Sequence, residues 1–326
     1  MKVLVVGLGS MGKRRIRLIQ QIDKTNQITG VDAKQERRIE AEQIFQIKTA
    51  DSLEEAFIDK YDCAFICTSP LSHADIIESC LKQNLHIFTE INLIDDKYDS
   101  NIQLARERNR TLFLSSTFLY RDEIKYIREA VGNSRSTLSY TYHIGQYLPD
   151  WHPWENYTEY FVGDVRTNGC REIMAIDFPW LYKTFGSISD IHVKKGKKTA
   201  LKIAYPDSYL LLVEHENGVQ GTIMIDVVSR KAVRNFELYG EDLYLTWDGS
   251  PQGLNVFDIS EKKEKNIHLY SEVDKQTGYA SFVVENAYKN EIIAFFNQIT
   301  QNQKPEYAFE DDKYVLSLID VIENRD

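Results

Sequence analysis

A chain of 326 residues exceeds one ordinary core and suits two domains, each able to bury about two-thirds of the surface that its unfolded chain exposes. Hydrophobic residues make up 43% and charged residues 27%, so nothing in the composition calls for disorder. The net charge of −10 argues against the basic footprint that a nucleic acid or an anionic membrane needs, and leaves a small ligand as the expected partner.

Residues 1–6 form a short apolar run of β type, followed by glycines and by an amphipathic stretch over 13–21 in which Ile16, Leu18 and Ile19 lie among charges. Strands are then expected at 27–32, 63–67, 85–89 and 111–115, and helices at 36–45, 73–83 and 98–108. The 63–67 run is apolar throughout, as in a sheet covered on both faces. This alternation predicts a doubly wound parallel sheet, a Rossmann domain over residues 1–120. After Tyr120 a helix at 122–131 precedes alternating strands at 136–143, 201–204, 209–214 and 221–227. Glu216-Asn217-Gly218 and Asp248-Gly249 are hairpin signals, and helices are expected at 171–184 and 285–300. Residues 121–326 are therefore expected as an α+β domain with an open, mainly antiparallel sheet, serving substrate binding and oligomerisation. The basic run 194–198 reads as a solvated turn.

Cys63, Cys67, Cys80 and Cys170 have no metal-ligand spacing and sit mostly in apolar segments, which predicts free core thiols, no metal and a reducing, cytoplasmic compartment. The apolar start, 3–8, runs into Lys13-Arg14-Arg15 and is too short for a signal peptide or a membrane span.

Gly7-Leu8-Gly9-Ser10-Met11-Gly12 fits GxGxxG between a strand and a helix, the context in which the pattern carries weight. The first glycine permits the turn, the second lets backbone approach a pyrophosphate, and the third lets helix and strand pack; phosphate charge then rests on the helix N-terminus. Asp32, twenty residues beyond Gly12, stands where a carboxylate accepts both ribose hydroxyls of NAD and repels a 2′-phosphate. NAD is the expected cofactor. Arg37 and Arg38 keep NADP as the lesser alternative.

Cys67-Thr68-Ser69-Pro70-Leu71-Ser72-His73, followed by a helix and by Leu85-His86-Ile87-Phe88-Thr89-Glu90, resembles the Gfo/Idh/MocA oxidoreductases. The similarity extends through Glu216-Asn217-Gly218-Val219-Gln220-Gly221, Glu237-Leu238-Tyr239-Gly240 and Ala294-Phe295-Phe296 to nearly the whole chain. The resemblance implies an NAD(P)-dependent enzyme moving hydride between C4 of nicotinamide and a carbinol or ketone carbon of a sugar or cyclitol. It also implies a homo-oligomer paired through the open sheet. Thr68, Ser69, His73 and Glu90 then join Ser10 and Met11 at the cofactor, and Asn92 and Arg121 are expected at the substrate; Arg121 either clamps an anionic group or pairs with Asp122.

The family's Glu-Lys-Pro is here Glu90-Ile91-Asn92, and isoleucine neither donates nor accepts a proton. The family's helical histidine falls on Met174 or near Ile176, depending on the register chosen. Glu172, Asp177 and His152 are the candidate replacements, Glu172 needing burial to act as a base near neutral pH. The stretch 146–157 carries Trp151, Trp154 and Tyr157, whose faces suit the apolar hydrogens of a sugar ring; what the resemblance of Trp151-His152-Pro153-Trp154 implies is a nucleotide sugar or a related intermediate of surface-polysaccharide synthesis. A non-catalytic, NAD-bound sensor or partner-binding protein is the alternative, since it tolerates Ile91.

Overall fold

The computed structural model describes residues 1–153, 155–274 and 283–325. The chain divides into two compact units, Met1–Ser116 with Tyr288–Tyr314, and Thr117–Ala287 with Val315–Asp326.

In the first unit β1 (Lys2–Val6), α1 (Ser10–Ile22), β2 (Gln27–Val31), α2 (Gln35–Phe45), β3 (Lys48–Ala50), α3 (Leu53–Ala56), β4 (Cys63–Ile66), α4 (His73–Lys82), β5 (His86–Thr89), α5 (Tyr98–Glu107) and β6 (Leu112–Leu114) alternate along the chain. The strands form a parallel sheet in the order 3-2-1-4-5-6. That order reverses between β1 and β4, and the carboxyl ends on either side of such a switch point are where a doubly wound sheet binds its ligand. The core explains the apolar strands: Val3, Leu4, Val5, Cys63, Ala64, Phe65 and Ile66 are inaccessible to solvent.

The second unit holds α6 (Asp122–Asn133), β7 (Ser139–Gly145), α7 (Gly169–Phe185), β8 (Ile188–Gly196), β9 (Ser208–His215), β10 (Gln220–Asp226), β11 (Val233–Tyr239), β12 (Tyr244–Trp247), β13 (Leu254–Asp258) and β14 (Lys263–Asn266); α8 (Glu285–Gln301) and α9 (Phe309–Asn324) follow. Its sheet, ordered 14-13-12-11-7-10-9-8, is antiparallel except where β7 and β10 run parallel. One face packs aromatic residues against α7: Tyr140 stacks on Phe185 at 4.8 Å, and Trp180 meets Tyr142 at 5.4 Å and Phe236 at 5.2 Å. Alternate residues of the same strands, Leu210, Leu212, Tyr239, Tyr244 and Phe257, remain exposed. Gly218 and Gly249 adopt positive φ in the two expected hairpin turns.

Two expectations are corrected. Residues 201–204 form no strand, although Leu201 and Ile203 are buried alternately. The Ile203 carbonyl is taken by Lys197 Nζ and the Lys202 amide by Tyr157 Oη, at 2.5 and 3.1 Å, so this backbone bonds to side chains instead of a ladder. Lys194 and Lys195 lie within β8, an edge strand, where lysines discourage pairing with another chain. All four cysteines are free and buried. Among the described residues, no helix is long and apolar enough to cross a membrane, and no cluster of His, Cys, Asp and Glu fits a metal ion.

Candidate functional site

At the switch point, Gly7 takes φ +93°, and a Cβ there would stand 2.7 Å from the Cys67 carbonyl oxygen. At Gly12 a Cβ would fall 1.8 Å from the Gly7 carbonyl oxygen, so α1 reaches the loop only because residue 12 is glycine. A Cβ on Gly9 would meet nothing nearer than Arg37 Nη1 at 3.8 Å. Gly9 therefore fronts open space at the start of α1, where no side chain caps the helix and no acidic residue occupies the first turn. Amide donors at an uncapped, acid-free helix start suit a pyrophosphate.

Asp32 accepts the Leu8 amide at 2.9 Å and the Lys34 amide at 2.9 Å, tying the end of β2 to the glycine loop. Arg37 Nη1 lies 3.5 Å from its Oδ2, and Arg38 bonds the Asp32 carbonyl at 2.8 Å. A carboxylate offers about four acceptor positions, so Asp32 keeps capacity for ribose hydroxyls.

His73 is buried, and its ring nitrogens meet Asn92 Oδ1 at 2.7 Å and the Thr68 carbonyl at 3.0 Å; burial lowers its pKa. Ser72 Oγ donates to Thr68 Oγ1 and to the Ser69 carbonyl, both at 2.8 Å. His73 thus orders the loop after β4. Asn92, expected at the substrate, is buried and its Oδ1 meets His73 Nδ1.

Glu90 takes a two-pronged ion pair from Arg15, Nε to Oε1 at 2.6 Å and Nη2 to Oε2 at 3.1 Å. The same guanidinium reaches Glu291 Oε2 at 2.8 Å, while Glu291 Oε1 accepts the Ser116 amide at 2.6 Å and Ser115 Oγ at 3.1 Å. Burial raises the Glu291 pKa despite Arg15. Arg15 and Glu291 are missing from the sequence reading because Lys13-Arg14-Arg15 looks like ordinary flanking charge; nothing local marks Arg15 as wholly buried.

In the second unit, Asn168 caps α7 by accepting the Arg171 amide at 2.8 Å, an arrangement worth about 1 kcal/mol. One turn in, Glu172 Oε2 is sealed from solvent with no hydrogen-bond partner among the described residues, and burial raises the carboxyl pKa from 4.5 to about 8. The burial that Glu172 needs to act near neutral pH is present.

Asp177 sits differently. Its buried carboxylate accepts Tyr142 Oη at 2.5 Å, Arg234 Nη2 at 3.1 Å and Nε at 3.3 Å, and Trp180 Nε1 at 3.5 Å. A carboxylate that accepts from Tyr142, Arg234 and Trp180 ties α7 to the sheet. His152 is more than one-third exposed, stands 3.3 Å from Glu155 Oε2 and stacks on Tyr160 at 4.9 Å. Arg121 pairs with Glu123 at 2.6 Å, not with Asp122, donates to the Gly249 carbonyl at 3.0 Å and lies over Trp247, so its guanidinium is committed within the unit. Trp151 donates to the Gln146 carbonyl at 3.1 Å and Tyr157 Oη accepts the Lys202 amide, so both fasten the aromatic loop. Trp154 lies outside the described residues.

Fold and glycine loop together define the class: a Rossmann-type dinucleotide-binding protein carrying a separate α+β unit. Residues 1–115 match the GFO_IDH_MocA model, an oxidoreductase family with an NAD-binding Rossmann fold, so the first part of the chain is similar to that family. It is 22% identical over 341 aligned positions to myo-inositol 2-dehydrogenase of Thermotoga maritima, covering 98% of this chain and 94% of the relative. A UDP-N-acetylglucosamine 3-dehydrogenase from Acidithiobacillus ferrooxidans has a similar fold, with TM-score 0.75 and 17% identity over 98% of this chain and 95% of that one. Biliverdin reductase of Synechocystis sp. PCC 6803, solved with biliverdin and NADP+, gives TM-score 0.76 and 17% identity over 98% and 97%.

Proposed function

We propose that this protein is an NAD-dependent oxidoreductase that interconverts a carbinol and a ketone on a sugar or cyclitol derivative, with Glu172 as the acid/base. The observation that carries this reading is the Glu172 carboxyl on α7, whose Oε2 is sealed from solvent with no hydrogen-bond partner among the described residues and whose pKa burial raises to about 8. When bound, the nicotinamide supplies or accepts hydride at C4. The chain's own task is the proton. In the oxidation direction ionised Glu172 takes the carbinol O–H proton, and in the reduction direction protonated Glu172 returns a proton to the carbonyl oxygen.

Gly7, Gly9 and Gly12 would cradle the pyrophosphate and Asp32 would hold the adenosine ribose, favouring NAD over NADP. A polyhydroxylated substrate accords with the names of two of the similar proteins, myo-inositol 2-dehydrogenase and UDP-N-acetylglucosamine 3-dehydrogenase. A nucleotide sugar is the more specific choice within that class.

The exposed Leu210, Leu212, Tyr239, Tyr244 and Phe257 on the open sheet support a homo-oligomer, because large apolar side chains left exposed on one sheet face favour association. Light scattering on Leu212→Glu should report a smaller species than the wild type, and an unchanged mass would remove this face from consideration.

The deciding experiment titrates the protein with NADH and NADPH by fluorescence. Nicotinamide absorbance is then followed with myo-inositol, UDP-N-acetylglucosamine and further nucleotide sugars. Sugar-dependent turnover that Glu172→Gln abolishes, with NADH binding retained, is the expected result. Ile91 and Ile176 favour one competing reading, a sensor that binds the dinucleotide without turnover; saturable NADH binding with no reaction across the panel would select it.

A further inference from the structure

Within the first unit, two carboxylates share one guanidinium. Arg15 reaches Glu90 at 2.6 Å and Glu291 at 2.8 Å; the side chains of Arg15 and Glu291 are inaccessible to solvent, and that of Glu90 is 11% exposed. Arg15, the Ser116 amide and the Ser115 hydroxyl all donate to Glu291, which supports its ionised form against the opposing effect of burial. The three charged groups in contact therefore sum to one negative charge. Arg14, the adjacent cation on α1, lies over the Tyr288 ring at 4.4 Å and meets Met11 Sδ at 3.1 Å. A surplus charge held out of water is costly, and a cation brought beside it offsets that cost.

The group lies at the carboxyl edge of the parallel sheet, where Cys67 follows β4, Glu90 follows β5, and Ser115 and Ser116 follow β6. Cys67 alone separates the Glu90 carboxylate from the glycine loop: its Cβ is 3.7 Å from the place of a Cβ on Gly12, and its Sγ is 3.8 Å from Glu90 Oε1. Asp32 follows β2, on the other side of the switch point. A dinucleotide with its adenosine ribose at Asp32 and its pyrophosphate on the glycine loop carries its nicotinamide toward the ends of β4, β5 and β6.

We infer that Arg15, Glu90 and Glu291 select the redox state of the cofactor, their surplus negative charge favouring the oxidised, cationic nicotinamide over the neutral reduced one. Pyrophosphate and ribose are the same in both forms, so the glycine loop and Asp32 do not distinguish them, whereas the ring differs by one unit of charge. The inference rests on the oxidoreductase reading above. On that reading, tighter holding of NAD+ pulls the bound equilibrium toward the carbinol, in which hydride passes from C4 of the reduced ring to the carbonyl carbon and the carbonyl oxygen takes a proton.

The test titrates NAD+, NADH and ADP-ribose calorimetrically at pH 8 into full-length wild type, Glu291→Gln, Glu90→Gln and Arg15→Lys. ADP-ribose carries no nicotinamide and reports the pyrophosphate and ribose contacts by themselves. Each glutamine variant should lower the ratio of NAD+ affinity to NADH affinity by about tenfold, the order expected for removing one unit charge at short range. Arg15→Lys keeps the charge count and should keep the wild-type ratio, whatever it does to packing. The two glutamine variants remove the same charge from opposite sides of Arg15, so either decides the matter if the other does not fold. An unchanged ratio in a glutamine variant that still binds ADP-ribose would overturn the inference while leaving the oxidoreductase reading in place. So would an Arg15→Lys ratio shifted as far as those of the glutamine variants. A wild type that binds neither NAD+ nor NADH would overturn the oxidoreductase reading and this inference together.

Discussion

Glu172 and Asp177 stand five positions apart on α7 and were equal candidates in the sequence, both carboxylates flanking the place of a missing histidine. What separates them is the number of donors each meets, which depends on Tyr142 and Arg234 from distant strands and is invisible locally. With Glu172 raised from 4.5 to about 8, the folded chain keeps a proton that the unfolded chain has already released between those values. Stability therefore falls as pH rises through that window and is flat in this respect above it. Glu172→Gln should remove its share of the fall, so its advantage over wild type in urea unfolding should grow from pH 5 to pH 8; a constant difference would show that the carboxyl is not raised. The same variant should lower kcat by about 10²–10⁴, the usual contribution of a general acid or base. Wild-type oxidation should accelerate as pH passes 8, and reduction should slow.

Asp32 is the residue that the sequence alone located correctly in the fold, at the end of β2, because strand, glycine loop and helix fix its position by spacing. Arg37, 3.5 Å away, gives the same spot a cation. Asp32→Ser should weaken NADH by about tenfold through the loss of ribose hydrogen bonds, and strengthen NADPH as Arg37 becomes available to a 2′-phosphate. Competitive titration of the two cofactors checks this, and an unchanged preference would place discrimination elsewhere.

Among the elements, the β/α alternation was readable because buried parallel strands are short apolar runs bounded by amphipathic helices. β3, with three residues, and the half-exposed edge strand β8 carry too little pattern to be seen. Residues 201–204 have a strand's burial rhythm without a ladder partner, and periodicity does not distinguish the two. Arg15 shows what packing adds. It joins α1 to β5 through Glu90 and to α8 through Glu291, entirely within the first unit. Arg15→Met leaves two buried carboxylates without their cation and should cost about 3–5 kcal/mol at neutral pH. The cost should shrink in acid, where protonation neutralises the pair. Chemical unfolding at pH 7 and pH 5 measures both, and a loss that does not depend on pH would mean that Arg15 acts through its packing alone.

At the scale of the whole molecule, the sequence suggested a boundary near residue 120 with one continuous domain on either side, whereas Tyr288–Tyr314 returns to the first unit. No local signal announces this, because α8 is an ordinary amphipathic helix whose partner is chosen by shape. Phe295 packs 5.3 Å from Phe65, 5.6 Å from Phe88 and 5.6 Å from Phe113, covering three strands of the parallel sheet, and Glu291 one turn earlier completes the Arg15 network. A fragment of residues 1–120 contains every cofactor-loop glycine and Asp32, yet it exposes those three rings to water and leaves Arg15 and Glu90 without Glu291. Losing one large aromatic from such a core costs about 3–5 kcal/mol, comparable with the whole stability of a domain this size. The fragment should therefore melt without a cooperative transition and fail to bind NADH. Joining residues 288–314 to it through a flexible linker should restore both. Cooperative unfolding with NADH binding by 1–120 alone would show that the dinucleotide site needs nothing from α8. Failure of the joined form would locate the missing support in residues of the second unit.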